Sequence, residues 1–139
     1  MEVHIFTDGG SRGNPGPAAI GVWAQDEQKK QLFQASVYIG QATNNIAEYQ
    51  ALITSAELLL ERFSTLNPEK ISWFLDSKLV VEQLNKKWKI KQEHIQVLAE
   101  QAWKLLNQLA VPYTINHIPR EKNKMADSLV NQALDLQSK

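Results

Sequence analysis

A chain of 139 residues that is 43% apolar is long enough to bury a core as one domain over 1–139, and with no cysteine it holds neither a disulfide nor a thiolate metal site. Its 15 basic and 15 acidic side chains cancel, so net charge by itself points to no class of partner. No apolar run approaches the roughly 20 residues of a membrane span, and Met1-Glu2-Val3-His4 lacks the features of a signal peptide, which together predict a soluble, cytoplasmic protein with no membrane partner.

Glu2 to Thr7 reads as a strand, and Asp8 closes it where the glycine-rich run Gly9-Gly10-Ser11-Arg12-Gly13-Asn14-Pro15-Gly16 begins. Ala18 to Ala24 and Leu32 to Ile39 are two further strands, separated by the polar turn Asp26 to Lys30, and complete an antiparallel meander. Ile46 to Phe63 predicts a long helix with Ile46, Tyr49, Ile53, Ala56, Leu60 and Phe63 on one face, and Asn67-Pro68 closes the connection after it. Ile71 to Leu75 is the fourth strand. A short helix carries Leu79, Val80, Val81 and Leu84, and a longer one carries Ile95, Leu98, Ala102, Leu105, Leu106 and Leu109. Pro112 precedes a fifth strand through Tyr113 and Ile115, and Asn123 opens a final helix with Met125, Ala126, Leu129, Val130, Ala133 and Leu134 inward.

Charge is unevenly placed along this order. Lys70 to Lys139 carries 11 bases against 7 acids, densest at Lys86-Lys87-Trp88-Lys89-Ile90-Lys91, where cations interleave with an aromatic as a phosphate backbone favours. The same lysines also suit the C-terminal end of a helix facing its dipole.

Four acids, Asp8, Glu48, Asp76 and Asp127, fall at element boundaries. A helical crossover can return the fourth strand parallel to the first and beside it, which sets Asp8 next to Asp76 at the carboxyl edge of an open α/β sheet. Glu48 and Asp127, each in a first helical turn, can reach the same edge. Singly, each acid has a structural reading: Asn45 and Glu48 fit a capping box, Asp76 can cap the next helix, Asp127 suits a helix dipole and Asp8 a turn. Jointly they need cations, because clustered carboxylates repel, and oxygen ligands without His or Cys favour hard ions such as Mg2+ or Mn2+.

The segments Thr7 to Ala18, Thr43-Asn44-Asn45-Ile46-Ala47-Glu48, Asp76-Ser77 and His117 to Asp127 resemble, in order and spacing, the four motifs of type 1 ribonuclease H. The resemblance implies the ribonuclease H-like α/β fold, a five-stranded mixed sheet of order 3-2-1-4-5 flanked by helices. It further implies two-metal hydrolysis of the RNA strand of an RNA/DNA hybrid, with 5′-phosphate and 3′-hydroxyl products. Asp8, Glu48, Asp76 and Asp127 match the catalytic, metal-holding carboxylates, and Asp8, at its strand end, is the candidate to bridge both ions.

Substrate contacts are expected at the glycine turn, where bare backbone at Gly9, Gly10 and Gly13 can approach an RNA sugar beside Ser11 and Arg12. The resemblance places Asn14, Asn44 and Asn45 against the minor groove and Thr43 near a DNA phosphate, although turn-forming and helix-capping account for the same residues. Lys78 stands where relatives often carry glutamine and adds a cation, and Trp88 is the aromatic expected to contact base or sugar. Trp23, Trp73 and Trp103 read as core or groove wall; His4 and His94 carry no assignment.

Two departures bear on activity. The basic segment between Leu84 and Ile95 is shorter than the protrusion of many bacterial relatives. The histidine-bearing loop before the last aspartate is also short, leaving Arg120 or the strand-end His117 to take its role, with Arg120 preferred. Double-stranded RNA as an additional substrate and a non-catalytic hybrid-binding module remain as alternative readings, and a monomer is expected.

Overall fold

The computed structural model describes residues 1–138. Strands β1 (Glu2–Ser11), β2 (Gly16–Asp26) and β3 (Gln31–Ala42) form the antiparallel meander, and β4 (Lys70–Leu75) and β5 (Tyr113–His117) add in parallel on the other side of β1. The sheet order is β3-β2-β1-β4-β5, as expected. The helices are α1 (Asn44–Glu61), the single turn α2 (Phe63–Leu66), α3 (Lys78–Leu84), α4 (Glu93–Leu106) and α5 (Lys124–Gln137), with a 3₁₀ turn at Arg120–Lys122.

Alternation along β2 divides the interior in two. Ile20, Val22 and Ala24 join the large core with Leu52, Ile53, Ala56 and Leu59 of α1, Trp73 of β4 and Ala99, Ala102 and Leu106 of α4. Ala19 instead meets Val130, Ala133 and Leu134 of α5 in a smaller cluster. Trp73 is fully buried, and its indole N–H donates to Ser55 Oγ at 2.8 Å, which fixes β4 against α1.

Several elements differ from the sequence expectation. β1 does not stop at Thr7 but stays paired with β2 as far as Ser11, whereas its pairing with β4 ends at Thr7 opposite Leu75. The sheet therefore parts at Asp8, which keeps a neighbour on one side only. Helix α1 begins at Asn44, capped by Thr43, whose Oγ1 accepts from the Ile46 N–H at 3.2 Å. The Asn45–Glu48 capping box is not made, because the Glu48 carboxylate is used elsewhere. Leu59 rather than Leu60 is fully buried, and Phe63 lies beyond Arg62 in α2, so the inward stripe is shorter than the expected one. Met125 is 49% exposed, not inward: it sits in the first turn of α5, and Ala126 beside it makes the contact with the sheet.

Two glycines set how closely helices lie on the sheet. A Cβ at Gly9 would stand 2.2 Å from the Ala47 carbonyl carbon of α1, and one at Gly21 would stand 2.2 Å from the Ala126 carbonyl oxygen of α5. At Gly10 the nearest neighbour of such an atom is the flexible end of Val130 at 3.4 Å. Gly21→Ala should therefore lower unfolding stability by about 2 kcal/mol or more through forced displacement of α5, whereas Gly10→Ala should change it by less than about 1 kcal/mol. Urea denaturation of the two variants beside the wild type checks this; equal effects would contradict the packing argument.

Candidate functional site

The parting of β1 from β4 opens a notch at the carboxyl edge of the sheet, and three acids meet there. Asp8 comes from β1, Asp76 follows the last residue of β4, and Glu48 reaches in from the second turn of α1. Each supplies a carboxylate oxygen, and the three oxygens lie within 4.8 Å of one another. Asp8 and Glu48 are buried, at 8% and 6% exposure, and Asp76 is half-buried. Glu48 is aimed by its Oε1, which accepts from the Gly9 N–H at 2.5 Å; its buried Oε2 has no partner among the described residues. The approach of α1 that Gly9 permits is what brings this glutamate to β1, so the absent side chain at Gly9 is explained by helix packing and not by room for a ligand.

Asp127, in the first turn of α5, stands beside the trio and lines the same cleft, with Asn131 Nδ2 at 3.5 Å and the exposed Arg120 guanidinium at 3.8 Å. Asp76 Oδ2 accepts from Asn123 Nδ2 at 3.0 Å, and the helix after it is capped by Ser77, not by Asp76.

Electrostatics follow from this geometry. Burial, reinforced by the charges of Asp76 and Asp127, pushes the Asp8 carboxyl up to about 7, against the lowering effect of its hydrogen bond with Glu48. Burial first and Asp8 second push Glu48 well above the usual carboxylate range. A pair so placed holds protons near neutral pH unless a cation replaces them. The donor set is all carboxylate oxygen, and a buried oxygen of Glu48 is left to accept a further bond, so these residues fit a hard divalent cation.

The remaining expected residues sort into two regions. Gly9, Gly10, Ser11, Arg12, Asn44, Asn45, Ser77 and Arg120 share the cleft of about 400 Å³ with the four acids. Its glycine-turn side is tied by side-chain carbonyls: Asn44 Oδ1 accepts from the Ser11 N–H at 2.9 Å, and Asn14 Oδ1 accepts from the Asn44 N–H at 3.0 Å. The Asn14 and Asn44 side chains are exposed and retain their NH₂ donors. Arg12 pairs with Asp135 of α5 at 2.6 Å. Thr43 is committed to its cap.

Trp88, 44% exposed, lies instead in a groove with Lys86, Lys87, Lys89 and Trp103, with the Lys78 ammonium 5.9 Å from its ring. A third depression shares Asn45 with the acidic cleft and Gln83, Lys89 and Ile90 with this groove, so one track runs from the carboxylates to the lysines. His117 is exposed at the end of β5 and is absent from the residues lining the cleft. Trp23 and Trp103 are half-buried and Trp73 is core; His4 contacts Glu2 at 3.1 Å and His94 is exposed.

Asn123 and Asn131 were not legible as site residues. For Asn131 a signal exists, its i+4 spacing from Asp127 on α5. Asn123 presents itself in sequence as an ordinary helix cap.

A family model described as reverse transcriptase-like matches residues 6–133. The bifunctional protein Rv2228c of Mycobacterium tuberculosis is 42% identical over 97% of this chain, and ribonuclease HI of Halobacterium salinarum is 38% identical over 96% of it. The chain spans 36% of the first of these relatives and 64% of the second. A crystal structure of LC11-RNase H1 in complex with an RNA/DNA hybrid is similar with a TM-score of 0.93 and 39% identity, each chain covered to 99%.

The raised carboxyls give a pH dependence with a definite sign. Asp8 binds its proton more tightly folded than unfolded, so the associated stability is full below about pH 4 and is lost as pH rises through about 7. In chelator, melting temperature should fall between about pH 5 and pH 7.5, and Asp8→Asn should flatten that slope and add about 2 kcal/mol at the upper end. A wild-type slope of the opposite sign, or one unaltered by the substitution, would contradict the assignment.

Proposed function

This chain belongs to the type 1 ribonuclease H family, and on that premise we propose that it is a metal-dependent endoribonuclease that hydrolyses the RNA strand of RNA/DNA hybrids, leaving 5′-phosphate and 3′-hydroxyl ends. The observation that carries the reading is the carboxylate trio of buried Asp8 and Glu48 with half-buried Asp76, with a glutamate oxygen left unpartnered among the described residues, set at the sheet edge beside Asp127. Two hard divalent ions, Mg2+ or Mn2+ in its place, held by these four carboxylates, would supply activation of water and neutralisation of charge at the scissile phosphate.

What the chain itself contributes is placement. Asp8, at the centre of the notch and in contact with Glu48, is the proposed shared ligand. Gly9 holds Glu48 through its N–H, and Asp127 closes the site from α5. Arg120, exposed beside Asp127, is free to swing onto a phosphate and assist product departure. The glycine turn with Ser11 and Arg12 faces the cleft from one side together with Asn44 and Asn45, Asn14 is tied to it through the Asn44 N–H, and these residues would offer donors to the hydroxyl-bearing minor groove, with Thr43 near the DNA strand. The track toward Lys89, Trp88 and Lys78 supplies cations and an aromatic face at a distance from the chemistry, as a second strand's backbone requires. The relative crystallised with an RNA/DNA hybrid supports that choice of substrate. No helix among the described residues is long and apolar enough to cross a membrane. We place the activity in the cytoplasm, in a monomer working as one domain.

The test is cleavage of end-labelled RNA presented as RNA/DNA, RNA/RNA and single strand, by wild type and Asp8→Asn. Hybrid cleavage that requires Mg2+ or Mn2+ and vanishes in the variant is the expected result, and the RNA/RNA lane measures whether double-stranded RNA is also a substrate. A well-folded wild type that binds hybrid yet cleaves none in either metal would make the domain a binding module.

A further inference from the structure

Asn123 occupies the cap position of α5, yet its side chain makes no cap bond to that helix. It is 1% exposed, and its Nδ2 donates to the Thr7 carbonyl of β1 at 2.9 Å and to Asp76 Oδ2 at 3.0 Å. Both partners are acceptors, so the NH₂ end must face them and the orientation of the amide is settled by chemistry. The other end, Oδ1, is buried without a partner among the described residues. An unpaired buried carbonyl and a forgone cap bond each cost stability. A residue present only to start a helix would not be arranged this way.

Its backbone is equally committed. The Asn123 N–H donates to the Arg120 carbonyl at 2.9 Å, and its carbonyl accepts from the Asp127 N–H at 3.1 Å. One residue thus touches the peptide immediately before Asp8, one oxygen of Asp76, and the first turn that carries Asp127. Holding one oxygen of a carboxylate fixes the rotation of the group, and hence where its other oxygen lies.

From this we infer that Asn123 is a positioning residue that sets Asp76 relative to Asp8 and Asp127, so that the carboxylates are preorganised for divalent cations. The inference rests on the metal-dependent reading above and names a residue that acts through the ligands without being one. Partners of this kind typically change metal affinity by about 10–100-fold when removed. A clip that merely fastens α5 to β1 would affect stability alone.

The two roles separate in a melting experiment. Melting temperature is measured for wild type, Asn123→Ala and Asn123→Ser across Mn2+ concentrations, and Mn2+ dependence of hybrid cleavage is measured in parallel. The expected result is that Asn123→Ala needs about 10–100-fold more Mn2+ than wild type for half of its thermal increment and for half-maximal cleavage. Asn123→Ser, which keeps one donor, should lie between them, and KM for hybrid at saturating Mn2+ should stay within about twofold of wild type. A lower metal-free melting temperature with an unchanged Mn2+ requirement would overturn the inference while leaving the metal-dependent reading intact. A wild type with no Mn2+ increment would overturn both. Should neither variant fold, the wild type still decides: its Asn123 side-chain amide resonances, slow to exchange because the group is buried, should shift on addition of Mg2+, and resonances that do not shift overturn the positioning role.

Discussion

Everything at this site depends on two carboxylates being buried side by side. In water Asp8 and Glu48 would ionise and part; at the sheet edge neither can be fully hydrated, so burial raises the proton affinity of both, and Asp8 raises that of Glu48 further. The fold keeps them there because the rest of the structure over-determines their positions. β1 is held by β2 on one side through Ser11 and by β4 on the other only to Thr7, so Asp8 stands on a rigid strand with one flank open. Glu48 is fixed by a helix whose inner face is buried in the main core and whose carboxylate is tied to Gly9. A cation is the natural means of relieving this repulsion, and without one, protons serve in its place.

Close approach of helices to the sheet is the second constraint, and it is set by what is missing. Gly9 lets α1 lie near enough for Glu48 to reach the notch, and Gly21 does the same for α5, which carries Asp127. The two glycines sit on neighbouring strands and admit the two helices that bring the acids not borne by strand ends. Packing and chemistry are therefore coupled: a methyl group at either position acts on the site through the helix it displaces.

The order of elements and the four acids were legible in sequence, because alternation along β1 to β3, the apolar stripe of α1 and acids at element boundaries are local patterns, whereas the full sheet order was implied by the resemblance to type 1 ribonuclease H. What was not legible depends on contacts between distant segments. Asn45 and Glu48 have the spacing of a capping box, but a hydrogen bond from Gly9, 39 residues away, claims the glutamate, and Thr43 caps in its place. Gly9 reads as room for a ligand, and the helix that fills that room is visible only in three dimensions. Asn123 reads as a cap since its position is that of a cap; its partners Thr7 and Asp76 are 116 and 47 residues away. Met125 reads as part of the apolar stripe of α5, but its neighbour Ala126 is the first-turn residue that packs on the sheet at Gly21.

The most direct measurement is proton release on metal binding. Mn2+ is titrated calorimetrically into the protein near pH 6.5 in two buffers of different ionisation enthalpy, and the difference in heat counts the protons displaced. If protons occupy the Asp8–Glu48 pair until a cation arrives, binding should release about one proton per protein, and Glu48→Gln should reduce both release and affinity. Tight binding with no proton release, unchanged in the variant, would mean that the cation sits elsewhere and that the buried pair is not its site.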